Sequence, residues 1–150
     1  MPGHRPADQA PTWDALHQVA LDTAVRVHHL RCTDALAYAR GVNQVWGFGA
    51  DVAICEHDIV PTTAQVMELE LCPEYVCAYD YQVSKRKCWS QVEGSLGLGL
   101  CRFRVAAQSS ILARPAVPQV PWHDLGSALG QRLGAVHVHY PPADHRHHYA

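Results

Sequence analysis

The sequence predicts a single α/β domain, a mostly parallel sheet flanked by helices. Three observations carry that expectation. Short apolar runs alternate with segments of helical periodicity along the chain. One of those runs, DVAIC at 51–55, is continuous rather than alternating, as strands buried on both faces are. The chain has 150 residues, 48% of them hydrophobic and 17% charged, enough for one domain with a real core.

The elements follow in order. Residues 1–11 hold three prolines and no periodicity, and read as a flexible arm. TWDALHQVAL places Trp13, Leu16, Ala20 and Leu21 at helical spacing, with Thr12 as N-cap. AVRVHHL (24–30) alternates and reads as a strand. Thr33 is expected to cap a helix presenting Leu36, Ala39 and Val45, which the Gly47/Gly49 pair stops. After DVAIC, Pro61 interrupts, and Thr62 with Gln65 fits a capping box opening a helix. Residues 74–83 form a second β-rich run, SKRKCWSQVEG a loop, and SLGLGLCRFRV a strand. The glycines at 94, 97 and 99 mark a bulge or the close approach of another group.

RPAVPQVP is a connector. WHDLGSALGQRLG reads as a helix with Leu125, Ala128, Leu129 and Leu133 on one face, ended by Gly134. AVHVHY is a last strand, which period two gives His137 and His139 on one face. The domain is thus expected over 12–140, with 141–150 a histidine-rich tail contributing to the site.

Composition narrows the function classes. Net charge is −2, which argues against general nucleic-acid binding, and the Lys85-Arg86-Lys87 knot is short. No apolar run has the length of a membrane span, and the N-terminus lacks the apolar stretch of a secretory signal. A cytoplasmic protein is the expectation. Six cysteines without a C-x2-C pair read as reduced structural residues, with zinc or a Cys72–Cys77 or Cys77–Cys88 disulfide as alternatives. Of eleven histidines, five fall in the last fourteen residues, where they are either solvated or metal ligands.

Chemistry concentrates where DVAIC ends on Glu56-His57-Asp58. Two carboxylates at the exit of a strand can converge on a hard divalent cation. They can equally be a solvated loop whose acids cap the next helix. In sheets of this class ligands collect at the C-terminal ends of strands.

YARGVNQVWGFGADVAICEHDIVPTTAQVMEL resembles the donor-nucleotide region of GT-A-fold, family-2-like glycosyltransferases. There a helix with an arginine and an asparagine leads through a glycine into a strand ending in a D-x-D-type signature; Glu56-x-Asp58 stands in that place. GSLGLGLCRFRV resembles the family's glycine-rich strand near the donor and acceptor, and WHDLGSALGQRLGAVHVHYPPADHRH its E-D helix, following strand and downstream histidine. The matches span roughly residues 33–147.

The resemblance implies a metal-dependent transfer of a sugar from a nucleotide-sugar to an acceptor hydroxyl, with Mn2+ or Mg2+ and a UDP- or other NDP-sugar. It implies Asp124 as general base, with His123 standing where the family often has Glu. Asp58, Glu56, His145 and His139 would serve at the metal; Arg40, Asn43, Glu56, Gly97, Gly99 and Trp89 would serve at the donor. The family's first, base-holding strand has no visible counterpart, so the fold reads as GT-A-like and truncated at the N-terminus, which makes a homo-oligomer attractive. A non-catalytic binding or assembly protein on such a remnant, and a His/Cys metal-binding protein, are the alternatives.

Overall fold

The computed structural model describes residues 10–146. Four helices and a fifth short one surround a four-stranded sheet. The helices are α1 (Ala10–Asp22), α2 (Ala37–Val45), α3 (Thr63–Leu71), α4 (Val105–Ser110) and α5 (Trp122–Leu133). The strands are β1 (Val52–Cys55), β2 (Ile59–Val60), β3 (Val76–Tyr79), β4 (Leu100–Phe103), β5 (His137–His139) and β6 (Asp144–His145).

The main sheet has the order β1-β4-β3-β5. It is mixed rather than mostly parallel. β4 runs antiparallel to both β1 and β3, and only β3 and β5 pair in parallel. A period-two pattern does not carry strand direction, so the alternation of strands and helices overstated the parallel character. β1, β3 and β5 nevertheless run the same way, so their C-terminal ends lie along one edge of the sheet. β2 and β6 form a separate antiparallel ribbon, Ile59 opposite His145 and Val60 opposite Asp144.

Successive strand residues point to opposite faces, and β4 shows what covers each. Phe103 meets Trp46 beside α2, with ring centroids 5.1 Å apart. Arg102 points the other way, under α3. Its Nε donates to Leu69 O at 2.8 Å, and one terminal nitrogen to Cys72 O and Glu74 O. A buried guanidinium is tolerated here because it satisfies carbonyls at the end of α3, where the helix leaves them unpaired and the dipole favours a cation. α2 packs on α5, and α1 on α3 and β2.

The capping box at Thr62 and Gln65 forms in both directions, and α5 ends at Gly134 with φ +77°. Other expectations change. The alternating 25–30 segment carries no regular structure; alternation without an adjacent edge to pair with does not make a strand. Asp34, not Thr33, caps the turn into α2, accepting from Leu36 N at 2.9 Å. α2 buries Tyr38, Ala39 and Val42, leaving Leu36 and Val45 exposed. α1 buries Thr12 and Val19 rather than Ala20 and Leu21. Thr12 lies within that helix, so it is no N-cap. β1, expected to be buried, is a half-exposed edge strand. None of the six cysteines is in a disulfide. The proposed arm and tail lie partly outside the described residues, at 1–9 and 147–150.

Candidate functional site

The acidic segment is a tight turn between β1 and β2. Glu56 N donates to Gly99 O at 2.8 Å, and Ile59 N returns to Glu56 O at 3.1 Å. From behind, the Thr12 hydroxyl lies 2.7 Å from both His57 O and Ile59 O, fastening α1 to the turn. From in front, β6 closes over it, with Arg146 N donating to Asp58 O at 2.7 Å. This pairing brings together two residues 87 positions apart: His145 Nε2 lies 3.1 Å from Asp58 Oδ2.

The other face of the imidazole fixes its chemistry. His145 Nδ1 is hydrogen-bonded to the Gln82 carbonyl. A carbonyl only accepts, so Nδ1 carries the proton. In a neutral ring Nε2 would then present a lone pair to a carboxylate. That arrangement is stable when a proton or a cation lies between them. The proton is held strongly: burial opposes charging His145, but the Asp58 hydrogen bond, the Gln82 carbonyl and the nearby carboxylates outweigh it and raise its pKa. Burial likewise opposes ionising Asp58, and the His145 contact overrides it, keeping the carboxyl below its ordinary value.

Glu56 is half-buried in the same turn. Burial first, then the neighbouring Asp58 charge, push its pKa to about 7, with His145 pulling back only in part. The turn therefore pairs one carboxylate oxygen, on Asp58, with an oriented imidazole nitrogen, on His145, and the part-buried Glu56 carboxyl stands in the same turn. A carboxylate oxygen and an imidazole nitrogen are both ordinary ligands of divalent ions, though Glu56, Asp58 and His145 do not form a three-ligand cluster among the described residues. Anchoring one ring nitrogen to a backbone carbonyl while the other faces the ion is the usual orientation of a metal-binding histidine.

The glycine-rich approach to β4 supports this turn from the side. A Cβ on Gly99 would lie 2.6 Å from the Tyr81 ring and 3.0 Å from Ile59. Tyr81 in turn meets His145 edge-on, centroids 5.0 Å apart. Gly97 lies against Trp89, whose Cδ1 would be 2.3 Å from an added Cβ. These glycines admit buried rings close to the backbone, which is why the sequence places them there. Trp89 itself is buried, its Nε1 donating to Tyr79 O at 2.9 Å. Its ring face is occupied by Gly97, so it is not displayed for stacking on a sugar.

Asp124 occupies the first turn of α5, exposed, its carboxylate 3.4 Å from His123 Nε2. α5 leans on the glycine-rich segment through Gly126, where a Cβ would come within 2.2 Å of Leu96 O. Leu96 to Gly99 spans at most about 11 Å, and Gly99 binds Glu56. Asp124 and the acidic turn thus flank one short segment without forming a single cluster. Trp122, half-exposed beside His123, is the aromatic residue open to solvent there.

The remaining expected residues sit apart. Arg40 is exposed and paired with Asp34 at 2.7 Å. Asn43 Oδ1 lies 3.4 Å from Val117 N, tying α2 to the connector. His139 lies on β5, at the opposite edge of the main sheet from β1, three strand spacings or about 14 Å away. There its Nδ1 bonds Glu68 Oε1 at 2.8 Å, and it does not join Asp58. Sequence reasoning did not single out Thr12, Tyr81 or Gln82. Thr12 reads locally as a cap, and the partnership of Tyr81 and Gln82 with His145 is purely tertiary.

No family model matches the chain, and comparison with curated proteins and with solved structures gives no match.

Proposed function

We propose that this chain is a metal-dependent, GT-A-like glycosyltransferase-type protein that moves a sugar from a nucleotide-sugar to an acceptor hydroxyl. The observation that carries the reading is the meeting of Asp58 with His145, the imidazole held by Gln82 so that Nε2 faces the carboxylate. The resemblance named the same two residues from separate blocks of sequence. The position of Glu56 and Asp58 at the exit of β1 supports it too, since β1, β3 and β5 end along one edge.

Asp58 and His145 would hold Mn2+ or Mg2+, with Glu56 in the same turn. When bound there, the ion supplies positive charge to a diphosphate leaving group as the bond to the sugar breaks. Asp58 and His145 fix its place, and Gln82 prevents the imidazole from turning away. Asp124, exposed at the start of α5, would accept the proton from the acceptor hydroxyl. Trp122 offers an open aromatic face beside it.

Titration calorimetry with UDP in the presence and absence of Mn2+ tests the proposal. The expected result is Mn2+-dependent nucleotide binding that disappears in Asp58→Ala. No binding at millimolar nucleotide sinks it. Binding without release of UDP from any UDP-sugar, in the presence of acceptor, would instead favour a non-catalytic binding protein.

A further inference from the structure

A second cluster of metal-binding side chains lies far from the acidic turn. Cys72, at the end of α3, and His137 and His139, on one face of β5, bring ligand atoms within 4.8 Å of one another. Ligands around one zinc ion stand about 2.0–2.3 Å from it, so their mutual distances are necessarily this short.

Two of the ligands are held by their surroundings. The backbone at Cys72 is locked, its N–H donating to Glu68 O at 3.0 Å and its carbonyl accepting from Arg102 at 3.0 Å. His139 Nδ1 meets Glu68 Oε1 at 2.8 Å, and Glu68 Oε2 accepts from the Tyr79 hydroxyl at 2.6 Å. The ring also stacks on Tyr79, centroids 5.3 Å apart. With Nδ1 donating to a carboxylate, Nε2 is the lone-pair nitrogen. That atom is buried and has no hydrogen-bond partner among the described residues. A buried polar atom left without a partner calls for an explanation, and a bound ion is one of the ordinary ones. The carboxylate–histidine arrangement is also the common outer shell of a zinc ligand. His137, exposed on the strand surface, packs edge-on against His139 at 4.8 Å.

We infer that Cys72, His137 and His139 form a zinc site with three protein ligands and an exchangeable fourth position. One thiolate and two imidazoles suit Zn2+ rather than the hard cations expected at Asp58. Glu68 is a positioning residue, both of its oxygens being engaged. The three ligands lie in a shallow, open depression of the surface whose lining also includes Met67, Leu71 and Pro73, so a fourth position there would be open to solvent. Three protein ligands with the fourth position left open is the pattern of zinc centres that bind water or a small ligand rather than purely structural ones. The inference is independent of the glycosyltransferase reading.

The test uses the full chain, stripped of metal by a chelator, with Co2+ as the spectroscopic probe and Zn2+ as competitor. The expected result is one equivalent of Co2+ giving a thiolate-to-cobalt charge-transfer band, abolished by Zn2+ and shifted by thiocyanate. Cys72→Ser removes the band. His137→Ala, a surface change that leaves the core intact, weakens Co2+ binding, and Glu68→Gln weakens it about 10–100-fold. Asp58→Asn leaves the band in place. Absence of the band in the wild-type chain, its persistence in Cys72→Ser, or an undiminished Co2+ affinity in His137→Ala overturns the site. Loss of the band in Asp58→Asn would put the ion elsewhere and overturns it too. A spectrum indifferent to thiocyanate overturns the open fourth position.

Discussion

Burial of Glu56 beside Asp58 makes the acidic turn costly to fold at high pH, and Glu56→Gln measures by how much. The carboxyl releases its proton near 4.5 in an ordinary setting and at about 7 in the folded turn. Below pH 4.5 both states hold the proton, and the residue adds nothing. Between 4.5 and 7 the unfolded chain ionises while the folded chain does not, so stability falls as pH rises. Above 7 both are ionised and the loss is complete. At about 1.4 kcal/mol per pH unit the full loss is about 3 kcal/mol.

Glutamine keeps the shape and removes the charge. In metal-free buffer at pH 8, Glu56→Gln is therefore expected to be more stable than wild type by up to about 3 kcal/mol, with no difference near pH 4. With a urea slope of about 2 kcal/mol/M, the midpoint moves up by about 1.5 M. The melting temperature moves up by roughly 6–12 °C for a chain of this size. Urea denaturation followed by tryptophan fluorescence, repeated across the pH range, reads both. A variant no more stable than wild type at pH 8, or equally stabilised at both pH values, refutes the argument that the turn holds a destabilised carboxylate.

Further perturbations probe the same architecture. The Asp58–His145 pair should stabilise the fold between the ordinary values of its partners, 3.8 and 6.5. That contribution is lost as pH falls through the lowered Asp58 value and as pH rises through the raised His145 value. Asp58→Asn should flatten both limbs, and NMR titration should show the His145 pKa dropping; an unmoved value would disprove the contact. Gly126→Ala forces a methyl to within 2.2 Å of Leu96 O and should cost about 1–3 kcal/mol, seen as a lower urea midpoint. Thr12→Val removes the hydroxyl shared by His57 O and Ile59 O and should cost about 1–3 kcal/mol. Amide exchange at residues 57–59 should rise with it; unchanged exchange would contradict the role of α1 as a brace.

The sequence was most legible where a signal was local. Thr62 and Gln65 specify their cap through side chains three residues apart, and Gly134 supplies the positive φ that ends α5. Glycine spacing in GSLGLGL announced close approach, though not that buried Trp89 and Tyr81 would be the groups approaching. Partnerships were less legible. The Val25–Leu30 alternation is real, yet nothing in it says whether an edge is free to receive it. His139 and His145 look equally suited to Asp58 in sequence. They diverge because β5 joins the far edge of the main sheet while the chain turns back at Pro141–Pro142 to lay β6 along β2. The two-residue β6 has no periodicity to read. Asp58 stood out because an acid closing a short strand is conspicuous. Its neighbours Gln82 and Tyr81, which discipline His145, belong to a loop whose sequence gives no hint of them.

The ribbon of β2 and β6 is a clasp of only two residues per side, fastened at the far end of the chain. So short a ladder opens at small local cost compared with unfolding the sheet. Whatever bridges Asp58 and His145, proton or ion, also staples the C-terminal segment to the body. An ion bound between Asp58 and His145 would be coupled to the latching of residues 144–146, so amide exchange in this ribbon should slow on adding the ion beyond the protection the proton-bridged pair already gives.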